Sequence, residues 1–306
     1  MHRYIILRVF HGLVALFIVS IVVFALSRAA GDPAALMVPV GASNEEVERV
    51  RAVLGLDKPY MTQYWLFISH AVIGDFGKSL RQRQPVTGLI LKRFPNSMKL
   101  AALSLFFCLL VALPLGVVAA VKKDSGVDTV AKVVAILGQS MPSFWVGILF
   151  IEIFAVQLGW LPSSNIGGIK HYILPGLTTG WFLMAGIMRL LRSSMLEVLD
   201  SDFVKMARIK GVSERMVVLK HALRNALIPV ATFGGMYFAL ILTASVVVET
   251  VFSWPGLGRL VYEAIMGRDY PVIQGVVLTA AAMVIAVNLM IDIAYSYIDP
   301  RIRYGE

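Results

Sequence analysis

Three carboxylates sit inside otherwise apolar stretches of the chain: Glu152, Glu249 and Asp292. A charged group at the centre of a bilayer costs roughly 2.5–3.5 kcal/mol on insertion scales, so such acids belong against protein interior or a wet pathway. Glu249 and Glu152 are therefore candidates for a polar translocation path suited to an ammonium group. Each is also consistent with a carboxylate hydrogen-bonded to neighbouring helices. Asp292 lies near the end of its stretch and reads as a brace. Enzymatic arrangements do not emerge. Gly74-Asp75-Phe76-Gly77-Lys78-Ser79 resembles half of a phosphate loop, but that loop needs glycine five residues before Gly77, where Val72 stands. His11, His70, His171 and His221 show no metal-ligand spacing, and no His-Glu-x-x-His occurs. Cys108, the single cysteine, excludes an internal disulfide and any cysteine-rich metal site. No metal, no bound cofactor and no catalytic residue are expected.

The elements that position these acids follow from composition. Of 306 residues, 58% are hydrophobic and only 15% charged, with mean hydropathy +0.77. Soluble domains are nearer half apolar and about a quarter charged, so a bilayer is the expected solvent. A net charge of +9 raises nucleic acid as a partner. Yet the Lys and Arg fall in short stretches between apolar runs, which is a topology signal. Six runs have the roughly 20 residues that a spanning helix needs: 9–29, 98–121, 133–158, 172–192, 227–251 and 272–298. The first exceeds a signal-peptide core, and no A-x-A-like site precedes Gly31-Asp32-Pro33, so a retained helix is expected. Pro114 and Pro142 are tolerable as kinks. Basic residues flank spans one, two and four and end the chain, placing both termini, the second connection and the fourth in the cytoplasm. The segment 30–97 is then external. Within it Glu45–Leu54 reads as a helix capped by Ser43 or Asn44, and Met61–Ile73 as an apolar, aromatic helix over the outer mouth.

The fourth connection, 193–226, is organised. Phe203, Met206 and Ala207 share one helical face, and Asp202, Lys205 and Arg208 the other. Gly211 then ends the helix, as the residue type best suited to positive φ. Ser213 is placed to cap a second helix, with Glu214 in its first turn and Met216, Leu219, Leu223 and Leu227 as its apolar stripe. On pattern alone this helix, glycine hinge and helix also fits an amphipathic connector lying on lipid.

Longer strings add a resemblance. Ala207-Arg208-Ile209-Lys210-Gly211 and His221-Ala222-Leu223-Arg224-Asn225-Ala226-Leu227-Ile228-Pro229 are similar to the coupling loop of ABC-importer permeases. Lys205-Met206 replaces the family's usual Glu-Ala, and His221 its usual Ile, as in the dipeptide and oligopeptide branch. Gly31-Asp32-Pro33, Leu54-Gly55-Leu56-Asp57-Lys58-Pro59, Gly74-Asp75-Phe76-Gly77, Arg192-Ser193-Ser194-Met195, Phe252-Ser253-Trp254-Pro255-Gly256-Leu257-Gly258-Arg259, Arg268-Asp269-Tyr270-Pro271 and Asp299-Pro300-Arg301-Ile302-Arg303 resemble the same family in order. Within the branch, the chain looks most similar to dipeptide and glutathione permeases.

The resemblance implies an all-α integral membrane protein of the ABC importer type I permease fold, with a cytoplasmic coupling helix between spans four and five. It implies a bacterial inner-membrane location. The implied partners are a second homologous permease, two cytoplasmic ABC ATPases that use ATP and Mg²⁺, and an extracytoplasmic solute-binding protein. Asp202, Phe203, Ala207, Arg208, Lys210, Gly211, Ser213 and Glu214 are then the expected ATPase contacts. Trp254, Pro255, Gly256 and Asp269 become candidates for an external gate or binding-protein contact, although a structural turn at 254–258 fits equally. Nickel chelates, opines and other small solutes are alternative cargoes within the family. An ion-coupled secondary transporter is the rival outside it, but such proteins often carry internal repeats, and none stands out here.

Overall fold

A computed structural model describes residues 2–38, 41, 43–53 and 55–298. Leu54 and the string Asp299–Arg303 lie outside them. Among the described residues all regular elements are helical, and the one β-contact is an isolated bridge between Lys78 and Pro85. The chain forms two compact units, 1–97 with 255–306, and 98–254.

The first unit is built on α1 (His2–Ala29) and α14 (Tyr270–Ile298), which pack along one another. Arg8 meets Asp292 across this pair at 3.2 Å, so Asp292 is a brace as expected. Asp32 accepts from the N–H of Ala34 at the start of α2 (Pro33–Met37), with proline at the first helical position. α3 (Asn44–Val53) opens with a reciprocal box in which Ser43 N–H donates to Glu46 and Glu46 N–H to Ser43 Oγ. α4 (Tyr60–Val72) lies on α1 through Tyr64 and Phe67 against Phe24, and through Ser20 and Tyr64 hydroxyls 2.8 Å apart. The buried core joins Val86, Leu89 and Ile90 of α5 (Val86–Val121) with Leu257, Leu260 and Ala264 of α13 (Leu257–Met266) and Val272 and Val276 of α14.

The second unit contains the rest of α5, then α6 (Gly126–Ser140), α7 (Ser143–Phe150) with a π-helical continuation at Ile151–Gln157, and a 3₁₀ turn at Ile169–Tyr172. α8 (Ile173–Leu199) is its buried axis and packs on α6, α7 and α11 (Leu223–Ala244). Gly180 permits that burial: a Cβ there would stand 2.8 Å from the Ser104 carbonyl oxygen of α5. Gly176, four residues earlier, would meet Phe107 at the same distance. This is the small-xxx-small approach by which helices pack closely without polar glue. Asp128, fully buried, ties α6 to α8: Arg192 donates to it at 2.5 and 2.7 Å, and Lys132 lies 2.9 Å away.

Several expected boundaries change. α1, α5 and α14 are long and apolar enough to cross a membrane, and α6 with α7 and its continuation makes a fourth candidate only as a pair bent by 109°. The expected span 133–158, read with Pro142 as a kink, is instead broken there, because Pro142 has no N–H with which to continue α6 and favours an extended residue before it, as Met141 is. α5 begins at Val86, not Met98, since Lys92, Arg93 and Lys99 hide its first turns from a hydropathy window but not from helix geometry. Span four runs on to Leu199, beyond the expected end at Arg192. Span five breaks at Ser245 between α11 and α12 (Val246–Val251). Pro229 lies inside α11.

Candidate coupling site

The connection between α8 and α11 is short and rigid. After Ser201 the chain forms α9 (Asp202–Ile209), and Gly211 follows with φ +79°. The N–H of Val212 reaches the Ala207 carbonyl at 3.2 Å and that of Gly211 the Arg208 carbonyl at 3.0 Å. This is the paired bond set of a Schellman ending, which needs a left-handed residue where Gly211 stands. α10 (Glu214–Met216) then begins and passes through a π-helical turn, Val217–Ala222, straight into α11.

Two devices close the turn. Val204, Ala207 and Val217 are buried against Val198, Leu199 and Val212. On the outside Arg208 donates to both carboxylate oxygens of Glu214, at 2.7 and 3.1 Å. That guanidinium holds the Glu214 carboxyl below its ordinary range, and Lys205 does the same for Asp200 at 3.0 Å. Arg208 and Glu214, expected as separate ATPase contacts, are thus partners of each other.

The expected faces need correction. Ala207 turns inward with Val204, while Phe203, Met206 and Ile209 form the outer face at 49%, 55% and 80% exposure. Phe203 and Ala207, expected on one face, are thus separated, because the interior here is filled by small side chains and the helix has only eight residues to bury. In the following helix Val218, Ala222, Ala226 and Val230 are buried at four-residue intervals, while Met216 and Leu219 are exposed. The π-turn adds a residue to one turn and so rotates the expected stripe away. Ser213 occupies the cap position of α10, but its side chain makes no capping bond. Asp202 and Lys210 are exposed at the two ends of α9.

The other candidate residues do not gather at one place. Glu249 is fully buried in α12 and accepts from Ser245 Oγ at 3.1 Å. Glu152 is exposed on the π-helical stretch and accepts from Gln157 at 3.2 Å. Neither lines the cavity of about 370 Å³ beside the α6–α7 bend, whose polar lining includes Gln139, Ser140, Ser143 and Tyr237. Trp254 is buried, its ring 4.9 Å from that of Tyr172. The Pro255 carbonyl accepts from Asn96, and Gly256 is buried just before α13, whose first N–H donates to Ser97. Asp269 is buried too: the Ser79 hydroxyl and the N–H groups of Leu80 and Arg81 all donate to it, so it folds the 79–83 turn. Trp254, Gly256 and Asp269 thus make interior contacts, while Pro255 is half-buried.

A crystal structure of an amino acid ABC transporter with histidines shares the fold, with TM-score 0.52 and 17% identity over 70% of this chain and 94% of that one. The fold class is thus that of an ABC importer type I permease. Residues 112–304 match the binding-protein-dependent transport system inner membrane component family, and residues 1–101 match the N-terminal region of such membrane components. The chain belongs to that family: it is a transport permease component of a membrane, not a member of an enzyme family. It is 44% identical over 305 residues to the glutathione transport system permease protein GsiC of Escherichia coli (strain K12), covering 99% of this chain and 100% of that protein. The protein of the same name in Shigella flexneri serotype 5b (strain 8401) is 43% identical with the same coverage.

Proposed function

We propose that this chain is one of two homologous permease subunits of an ATP-driven importer of short peptides, including glutathione-like ones. An extracytoplasmic binding protein delivers the solute, and two cytoplasmic ABC ATPases supply ATP- and Mg²⁺-dependent motion. The chain lies in a bacterial inner membrane with both termini and the α9 loop in the cytoplasm. The outer face of α9 carries this reading. Phe203, Met206 and Ile209 form an apolar face at the tip of a braced turn, a surface that suits a groove on another protein. The turn is stiff because the Schellman ending, the buried valines and the Arg208–Glu214 pair hold it together. A push on α9 therefore passes to α8 and, through the continuous helix, to α11. Near-full-length likeness to glutathione permeases supports a peptide cargo; nickel chelates and opines remain the alternatives within the family.

The test is Gly211→Val in the purified assembly. Valine at φ +79° costs about 1–3 kcal/mol of backbone strain, which disrupts the turn while leaving the apolar helices intact. The variant is expected to insert and retain ATP hydrolysis while losing import. Wild-type import would sink the coupling role of the loop.

A further inference from the structure

Between α6 and α8 lies a cavity of about 330 Å³ lined by apolar and basic residues alone. Ala135, Ile136 and Met188 line it together with Lys132, Arg189 and Arg192. The cations sit where the apolar stretches stop: Lys132 directly precedes the run 133–158, and Arg189 and Arg192 close the run 172–192. The cavity is therefore at the level where hydrocarbon gives way to lipid headgroups, and the basic connections make that level the cytoplasmic one.

These charges are not used up within the chain. Arg189 is exposed and has no ion pair or side-chain hydrogen bond among the described residues. Arg192 binds the buried Asp128 through Nε and Nη2, which leaves its Nη1 accessible and unbonded. Lys132 also meets Asp128, yet its side chain is 46% exposed. Asp124 is within electrostatic reach of Arg192, but the exposed Lys122 and Lys123 adjoin it. Three cations on the lining against the one buried carboxylate leave an excess of two positive charges for an occupant to meet.

The surroundings say what kind of anion fits. Ile136, in the lining, is 64% exposed and Val133 on the same helix 49%, so the basic cluster borders bare apolar helix. Ile136 lies about one turn, roughly 6 Å, beyond Lys132 along α6. A free phosphate has no use for that surface, and an acyl chain has none for the cations. We propose that the cavity binds an anionic phospholipid, its phosphate on Arg189 and the accessible N–H groups of Arg192 and Lys132, its first methylenes over Ala135, Ile136 and Met188. Basic pockets between spanning helices on the cytoplasmic side take such headgroups. The lipid then bridges α6 and α8 beside the Asp128–Arg192 bond, on the helix that leads into the coupling turn. Its placement in the cytoplasmic leaflet rests on the sidedness proposed above; binding itself does not, and it is indifferent to the cargo.

The test is native mass spectrometry of the purified full assembly, stripped of lipid in detergent and titrated with phosphatidylglycerol or phosphatidylcholine. The wild type is expected to prefer phosphatidylglycerol about fivefold, the worth of one cation at a membrane surface. Arg189→Gln changes an exposed side chain without a partner and should lower that preference to near parity, while Arg189→Lys should keep it. Lys170→Gln removes an exposed cation away from the cavity and should change nothing. Equal uptake of both lipids by the wild type would overturn the proposal, as would a preference that survives Arg189→Gln or falls equally in Lys170→Gln. Inorganic phosphate at the lipid's concentration should displace no phosphatidylglycerol; displacement would reduce the site to a phosphate pocket and sink the lipid. Loss of a subunit from the Arg189→Gln assembly, with lipid uptake unchanged, would assign the cavity to a protein partner instead. Failed peptide import by an assembly that keeps the lipid preference bears on the cargo alone.

Discussion

Gly31, Asp32 and Pro33 have separable roles. Gly31 takes φ +140°, Pro33 starts α2, and Asp32 both caps that helix and accepts Arg51 from α3. Burial alone would raise the Asp32 carboxyl, but the Arg51 hydrogen bond and the Ala34 N–H outweigh it and hold it below the usual range. A carboxyl whose folded value is depressed adds stability above its unfolded value, near pH 3.9, and loses that contribution as pH falls through the folded value. Asp32→Asn should therefore lower the melting temperature modestly at neutral pH, and the gap to wild type should close below about pH 4. A gap that widens on acidification would contradict the sign. The same three residues were visible in sequence only as a family string. Arg51, nineteen positions away, gave no signal, because an ion pair between two short helices has no periodicity. Gly211 was legible for the opposite reason: a helix stop with positive φ is a local property of the chain.

At the scale of elements, α9 was legible in position and extent but not in orientation. An eight-residue amphipathic helix has two apolar candidates for its inner side, and the sequence alone does not say that Val204 and Ala207 face the Val217 turn. The outcome has a direct consequence. Phe203→Asp alters only the exposed side, so the chain should insert normally while the ATPase subunits no longer co-purify with it; full retention would show that the apolar face is not the docking surface. The tight axis of the second unit offers an independent check. Gly180→Val places its side chain against the Ser104 carbonyl, and overpacking of this kind costs about 1–3 kcal/mol. The detergent-solubilised chain should melt earlier, and second-site changes should map to α5. Pro142 marked a kink between α6 and α7, but the size of the bend was not legible because hydropathy continues across Met141-Pro142; apolarity reports solvent, not direction.

For the whole molecule, the alternation of apolar runs and basic connections revealed the class of protein, since the bilayer imposes that pattern on any chain that spans it. It did not reveal how the apolar length is used. α8 is buried by its neighbours, the third run is broken, and part of the external segment is the first part of α5. Sidedness remains a matter of charge. It is testable without the partners. Cys108, the only native cysteine, is fully buried and falls silent in a labelling experiment after Cys108→Ser. Lys123, after α5, and Lys170, before α8, are both exposed. In right-side-out vesicles a membrane-impermeant maleimide should label Lys170→Cys and spare Lys123→Cys, and inverted vesicles should reverse the result. If Lys123→Cys is labelled from outside, the basic connections face away from the cytoplasm. The α9 loop would then be out of reach of any cytoplasmic ATPase, whatever its shape.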